Sequence, residues 1–159
     1  QPMRSDFADH ITTIFPEVRL KKFIEMRGAD GGPWARICAL PAFWVGLIYD
    51  SVALDAAWEL VKDWTAAERQ KLREDVPCLA LNAEIRGRKV LDIARDAVEI
   101  SRQGLIARAR ADRSANEAIF LDTLIEILAR GTTHAEEMLK KFNGSWKGSV
   151  EPCFEEYAY

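Results

Sequence analysis

The stretch RLKKFIEMRGADGG, Arg19 to Gly32, decides how the chain is read. From Val18 to Arg27 the residues alternate as in a half-buried β-strand, whose side chains point to opposite faces in turn. Val18, Leu20, Ile24 and Met26 fall on one face, which Lys22 interrupts, and Arg19, Lys21, Phe23, Glu25 and Arg27 on the other. The pattern predicts an apolar face laid on helices and a second face that holds charges in fixed order. GADGGP (28–33) is a turn-rich break, and Pro33 suits the opening of a helix. Same-face neighbours on a strand lie about 7 Å apart, so Glu25 and Arg27 can serve one bound group from two sides. A carboxylate suits a hard cation such as Mg²⁺, and a guanidinium fork suits phosphate or carboxylate oxygens. The same letters also fit a cross-strand ion-pair ladder on a solvated sheet face.

Beyond Val52 the period becomes helical. SVALDAAWELVKDW (51–64) sets Val52, Ala56, Ala57, Leu60, Val61 and Trp64 on one stripe. Thr65 and Glu68 form a capping box that opens a short charged helix, expected to end before Pro77. Leu91, Ala94, Val98 and Ile106 repeat at helical spacing, with Gly104 a weak point among them. NEAIFLDTLIEILARG (116–131) predicts a helix capped by Asn116 and stopped at Gly131. A second capping box, Thr133 to Glu136, opens another. In the apolar run from Trp34 to Asp50, Pro41 is expected to kink or restart a helix, and FWVGLIY (43–49) to be core. The aromatic tail, NGSWKGSVEPCFEEYAY (143–159), reads as irregular and docked on the body. The chain is therefore α+β and predominantly helical, with one clear strand followed by about five helices. The divisions expected are 1–32, strand and glycine turn, and 33–159, a helical body with a docked tail, together one structural unit. A lone strand cannot satisfy its own backbone groups, so its neighbours are expected to lie outside these residues.

Composition narrows the partners. In 159 residues the net charge is -3, which favours neither nucleic acid nor an anionic membrane. ICALPAFWVGLIY (37–49) is too short to span a bilayer, and QPMRSDFADH (1–10) lacks the apolar core of a signal peptide. Cys38, Cys78 and Cys153 are odd in number and widely spaced, which suits free thiols in a reducing cytoplasm. His10 and His134 have no spaced metal-ligating partner. The run from Arg108 to Arg113 reads as a solvated helix end. Asp30 and the glycines around it could make a backbone-amide anion pocket, or a plain turn. Trp34 reads first as an aromatic anchor and second as a ligand platform.

FPEVRLKKFIEMRGADGGPWARICALPAFWVGLIYD (15–50), with DWTAAERQKLREDVP (63–77), TTHAEEMLKKFNGSWKGSV (132–150) and EPCFEEYAY (151–159), resembles glutamate–cysteine ligase of the plant and proteobacterial type. EMRGADGGPW is the specific motif, and IEMR (24–27) is similar to a strand motif of the wider glutamine-synthetase-like ligases. The resemblance implies the C-terminal part of such an enzyme, its N-terminal part missing and its own end a natural C-terminus. It implies Mg²⁺ and ATP, with L-glutamate and L-cysteine joined through an acyl phosphate as the first step of glutathione biosynthesis. Glu25 would be a metal ligand and Arg27 the catalytic, anion-stabilising group, with Arg19, Lys21, Asp30 and Trp34 near substrate or phosphate. Phe23 stands where the larger families carry a basic residue, so that role would pass to Arg19 or Lys21. Plant members are redox-regulated, which raises Cys38 as a candidate, although a buried inert thiol fits it better. The expected location is cytoplasmic. The competing reading is a helical interaction or regulatory module whose strand pairs with a partner's sheet edge.

Overall fold

A computed structural model describes residues 3–13, 16–20, 22–29, 31–113 and 115–158. The chain divides into two compact units, Gln1–Gly31 and Gly32–Tyr159.

The first unit opens with a helix, α1 (Arg4–Thr12), which the polar start of the chain did not announce. Its signal is a spacing of four: Met3, Phe7 and Ile11 are all exposed and stand on one side. The Asp6 carboxylate accepts the Met3 backbone N–H at 2.6 Å, tying the helix entry. Next comes a hairpin, β1 (Val18–Leu20) against β2 (Ile24–Met26), antiparallel, with Val18 opposite Met26, Arg19 opposite Glu25 and Leu20 opposite Ile24. The single continuous strand expected over 18–27 is thus two short ones. The reason is one of parity. Three positions separate the strands, so odd residues stay with odd across the reversal, and a hairpin prints the same alternation as one long strand.

The apolar face expected to rest on helices is instead the exposed one. Leu20 is 81% and Ile24 57% exposed, because a two-stranded sheet has no apolar layer of its own.

In the second unit, α2 (Trp34–Ile48) follows Pro33 and passes through Pro41 without a break. Proline costs the helix one hydrogen bond, and Pro41 lies on the exposed side. A break after Asp50, whose carboxylate accepts the Ala53 N–H at 2.9 Å, starts α3 (Ser51–Val61). The expected capping box opens α4 (Ala66–Leu79): Thr65 Oγ accepts the Glu68 N–H, and the Glu68 carboxylate accepts the Thr65 N–H at 2.8 Å. The helix runs on through Pro77 to Leu79 instead of ending before it. A short 3₁₀ turn, Ala80–Asn82, leads into a second hairpin, β3 (Glu84–Ile85) and β4 (Arg88–Lys89). Its two-residue loop puts Arg86 at φ 52° and Gly87 at φ 75°, the left-handed pair such loops require.

The longest element, α5 (Val90–Asp112), is the spine of this unit. Val98 and Leu105 of α5 form the core with Ala42 of α2, Ala118 and Leu121 of a 3₁₀ turn, and Leu128 of α6 (Asp122–Arg130). Where α5 crosses α2 the two backbones touch at Gly46 and Gly104, and the fully buried Ser101 hydroxyl donates to the Phe43 carbonyl at 2.9 Å. Gly104 is therefore a contact point and not the weakness its helix propensity suggested.

Asn116 caps the 3₁₀ turn, and Gly131 ends α6 at φ 65°. Thr133 opens α7 (His134–Asn143) through the second capping box.

The tail, expected to be irregular, folds into a short helix, α8 (Glu151–Glu156). It docks on α7 through one carboxylate. Trp146 Nε1–H and Lys141 Nζ–H donate to Glu156 at 2.8 and 2.6 Å, while the Tyr157 ring meets His134 edge-on at 4.6 Å between centroids. Those two donors, Lys141 first, hold the Glu156 carboxyl below its ordinary value of 4.5. A carboxyl lowered on folding stabilises the docked form above its unfolded value, and loses that contribution as pH falls through the folded one. Acidification below about pH 4.5 should therefore weaken the docking, read as a change in Trp146 fluorescence that Glu156→Gln removes. An unchanged acid transition in that variant would assign it to other carboxylates.

Candidate functional site

The hairpin gathers three of the expected side chains. Cross-strand register places Arg19 directly opposite Glu25, and same-face residues at such a position have adjacent side chains. Arg19 sets Nε and one terminal guanidinium nitrogen on Glu25 Oε2, both at 2.8 Å. Arg27 approaches the other oxygen, Oε1, at 3.5 Å. Glu25 is thus a carboxylate between two guanidinium groups, the ion-pair ladder that the alternation also allowed. All three side chains are at most one-third exposed, with Arg19 the most covered at 16%.

Two backbone ties hold this cluster in place. The Arg27 N–H donates to the Glu17 carbonyl at 2.8 Å, closing the open end of the hairpin beside the cluster. The Arg19 guanidinium also reaches the Thr12 carbonyl at 3.5 Å, at the C-terminal end of α1, where a helix favours a cation.

Two guanidinium groups flank the Glu25 carboxylate, and Glu17 is paired through its backbone with Arg27 at the end of the hairpin. A guanidinium group suits the oxygens of an oxyanion. These residues alone do not complete a Mg²⁺ site. A hard cation needs several oxygen ligands, and among the described residues no group of three or more His, Cys, Asp or Glu could hold a metal ion. The Glu25 oxygens already face two cations. These residues do not by themselves build a metal centre.

The remaining candidates divide between residues outside the described ones and residues of the second unit. Lys21 and Asp30 lie outside the described residues. None of Gly28, Gly31 and Gly32 takes the left-handed φ that an amide nest uses. Trp34, read first as an anchor, is 75% exposed at the start of α2 in the second unit. Cys38, Cys78 and Cys153 are free thiols; Cys38 is half-buried rather than fully enclosed. His134 is spent on the tail and on Glu137, whose carboxylate lies 3.6 Å from Nδ1.

Two concavities of the second unit were not legible in the sequence. One, of about 440 Å³, lies between α3 and α5, with an apolar floor of Val52, Ala53, Ile100 and Gly104. On its rim Glu99 is held at a pKa of about 2 by hydrogen bonds from Arg102 and then Gln103. The other, of about 460 Å³, is bordered by Glu68, Lys71, Asp75 and Arg86. Both arise from residues distant in sequence, so neither has a local motif.

The model of glutamate-cysteine ligase family 2 (GCS2) matches residues 1–156. The chloroplastic glutamate--cysteine ligase of Arabidopsis thaliana is 48% identical over 158 residues, covering 99% of this chain and 29% of that protein. That of Nicotiana tabacum is 46% identical with the same coverages. Chloroplastic glutamate--cysteine ligase A of Oryza sativa subsp. indica is 44% identical, over 99% of this chain and 31% of its own length. The chain thus spans about 30% of the length of these relatives. Their chloroplastic designation overturns the cytoplasmic expectation. A family match over nearly every residue, with identities of 44–48%, places this chain in glutamate-cysteine ligase family 2.

Proposed function

We propose that this chain is part of an ATP-dependent ligase that joins the γ-carboxylate of L-glutamate to the amine of L-cysteine, the opening step of glutathione synthesis. The observation that carries the reading is the Arg19–Glu25–Arg27 cluster in a chain of this family.

In that reaction a glutamate carboxylate oxygen attacks the terminal phosphorus of ATP and ADP leaves, giving a γ-glutamyl phosphate. The cysteine amine then attacks the acyl carbon, phosphate departs, and the nitrogen loses a proton. Both steps gather negative charge on oxygens, and transfer of a phosphoryl group asks the protein mainly for alignment and charge neutralisation. Arg27 supplies guanidinium N–H groups to those oxygens. Glu25 orients both forks so that little reorganisation is needed when charge develops. Mg²⁺ would accompany ATP, and no step is assigned to it through these residues.

The test uses a polypeptide of the relatives' full length that includes this sequence. Supplied with ATP, glutamate and cysteine, it is expected to form γ-glutamylcysteine with one ADP and one phosphate per product. Failure to form the dipeptide, or ATP hydrolysis indifferent to cysteine and glutamate, would overturn the assignment.

A further inference from the structure

Helix α2 buries one side and leaves the other bare. Ala39, Ala42 and Gly46 face the core. Opposite them, at spacings of three and four, run Trp34, Ile37, Pro41, Trp44 and Ile48. Trp34 is 75%, Ile37 47% and Ile48 37% exposed, while Trp44 is half-buried. No charge interrupts this stripe. The one charged residue of α2, Arg36, lies about a third of a turn round the helix.

Solvent-facing stripes of a helix are normally polar, and contiguous apolar patches on a monomer are small. A stripe of this length with two tryptophans and no charge has the composition of a permanent interface, which resembles a core cut in half, rather than of a transient one. What covers it is indicated by size. About seven-tenths of each relative's length lies outside the part that matches this chain, in the same molecule. A second copy of this chain would also bring an apolar stripe, but it would leave that larger part of the family's protein without an assigned contact on the least polar helix.

We propose that the Trp34–Ile48 stripe is the docking face for the polypeptide corresponding to the other seven-tenths of the relatives' length, which meets it with an apolar, uncharged surface. This goes beyond the ligase reading and concerns assembly alone. The test coexpresses the 159-residue chain with the part of the Arabidopsis thaliana relative that it does not match, the two carrying different affinity tags. The two should co-purify in equal amounts. The double variant Ile37→Glu, Ile48→Lys should reduce recovery at least tenfold while keeping the helical circular dichroism and melting temperature of the parent, since both side chains point away from the core.

Equal recovery of parent and variant would overturn the proposal, as would no association of either. A dimer of the 159-residue chain by sedimentation, abolished by the double variant, would overturn it in favour of a second copy. Assembly is read by recovery and chemistry by dipeptide formation. An assembled but inactive pair would count against the ligase reading and leave this interface standing.

Discussion

Gly104→Ala should destabilise the helical unit by about 3 kcal/mol or more, although the same exchange in most helices adds up to about 1 kcal/mol of stability. A Cβ at position 104 would sit 1.9 Å from the Gly46 carbonyl oxygen and 2.9 Å from the Ala53 Cβ. The first of these is backbone of a neighbouring helix and cannot rotate away. Helices α2 and α5 must then separate by more than an ångström at the point where they are closest. That opens the core around Leu105 and strains the Ser101 hydroxyl bond to Phe43.

The loss is large against a total stability of about 5–15 kcal/mol for a domain. It would appear as a fall in melting temperature of about 10 °C or more, measured by circular dichroism. Gly46→Ala should behave alike, because its added carbon would lie 2.2 Å from the Ser101 carbonyl. The two variants combined should cost less than their sum, since each forces apart the same crossing. A Gly104→Ala chain melting at or above the parent would show that the helices do not meet as described.

That crossing marks the limit of what could be read from the letters. Amphipathic stripes and both Thr-x-x-Glu boxes are local and physical, so the helices after Val52 and their starts at Thr65 and Thr133 were legible. Gly104, in contrast, carries only a low helix propensity in sequence, and its partner lies 58 residues away. Two hairpins were missed for different reasons. At 18–26 the reversal preserves parity and so imitates one strand. At 84–89 the turn is Arg-Gly, without the Asn or Asp that usually announces such a loop. Pro77 was given too much weight as a stop signal, for α4 carries it in its last turn. At the candidate site, alternation put Arg19, Glu25 and Arg27 on one face, and that survived the hairpin. What alternation could not tell was that Arg19 stands opposite Glu25, so that the carboxylate is braced by two cations.

The brace gives the two arginines different expected behaviour, and Arg27→Ala is the more telling substitution. Arg19 is engaged by two nitrogens at 2.8 Å and also reaches the end of α1. Its loss should therefore loosen the first unit as well as alter chemistry. Arg27 meets Glu25 at 3.5 Å, and its backbone bond to Glu17 is one that alanine keeps. In an enzyme of the relatives' full length, Arg27→Ala should lower kcat about 10²–10³-fold, the usual effect of deleting one donor to a developing oxyanion. KM should change far less, because the interaction strengthens as charge accumulates. Lysine at 27 should recover little, since a point charge does not reproduce the paired N–H groups of the fork. The melting temperature should stay within a few degrees of the parent, which separates a chemical role from a structural one. Should Arg27→Ala turn over at near-normal rates, the cluster is a cross-strand tie and nothing more, and the anion it was fitted to bind must be held elsewhere.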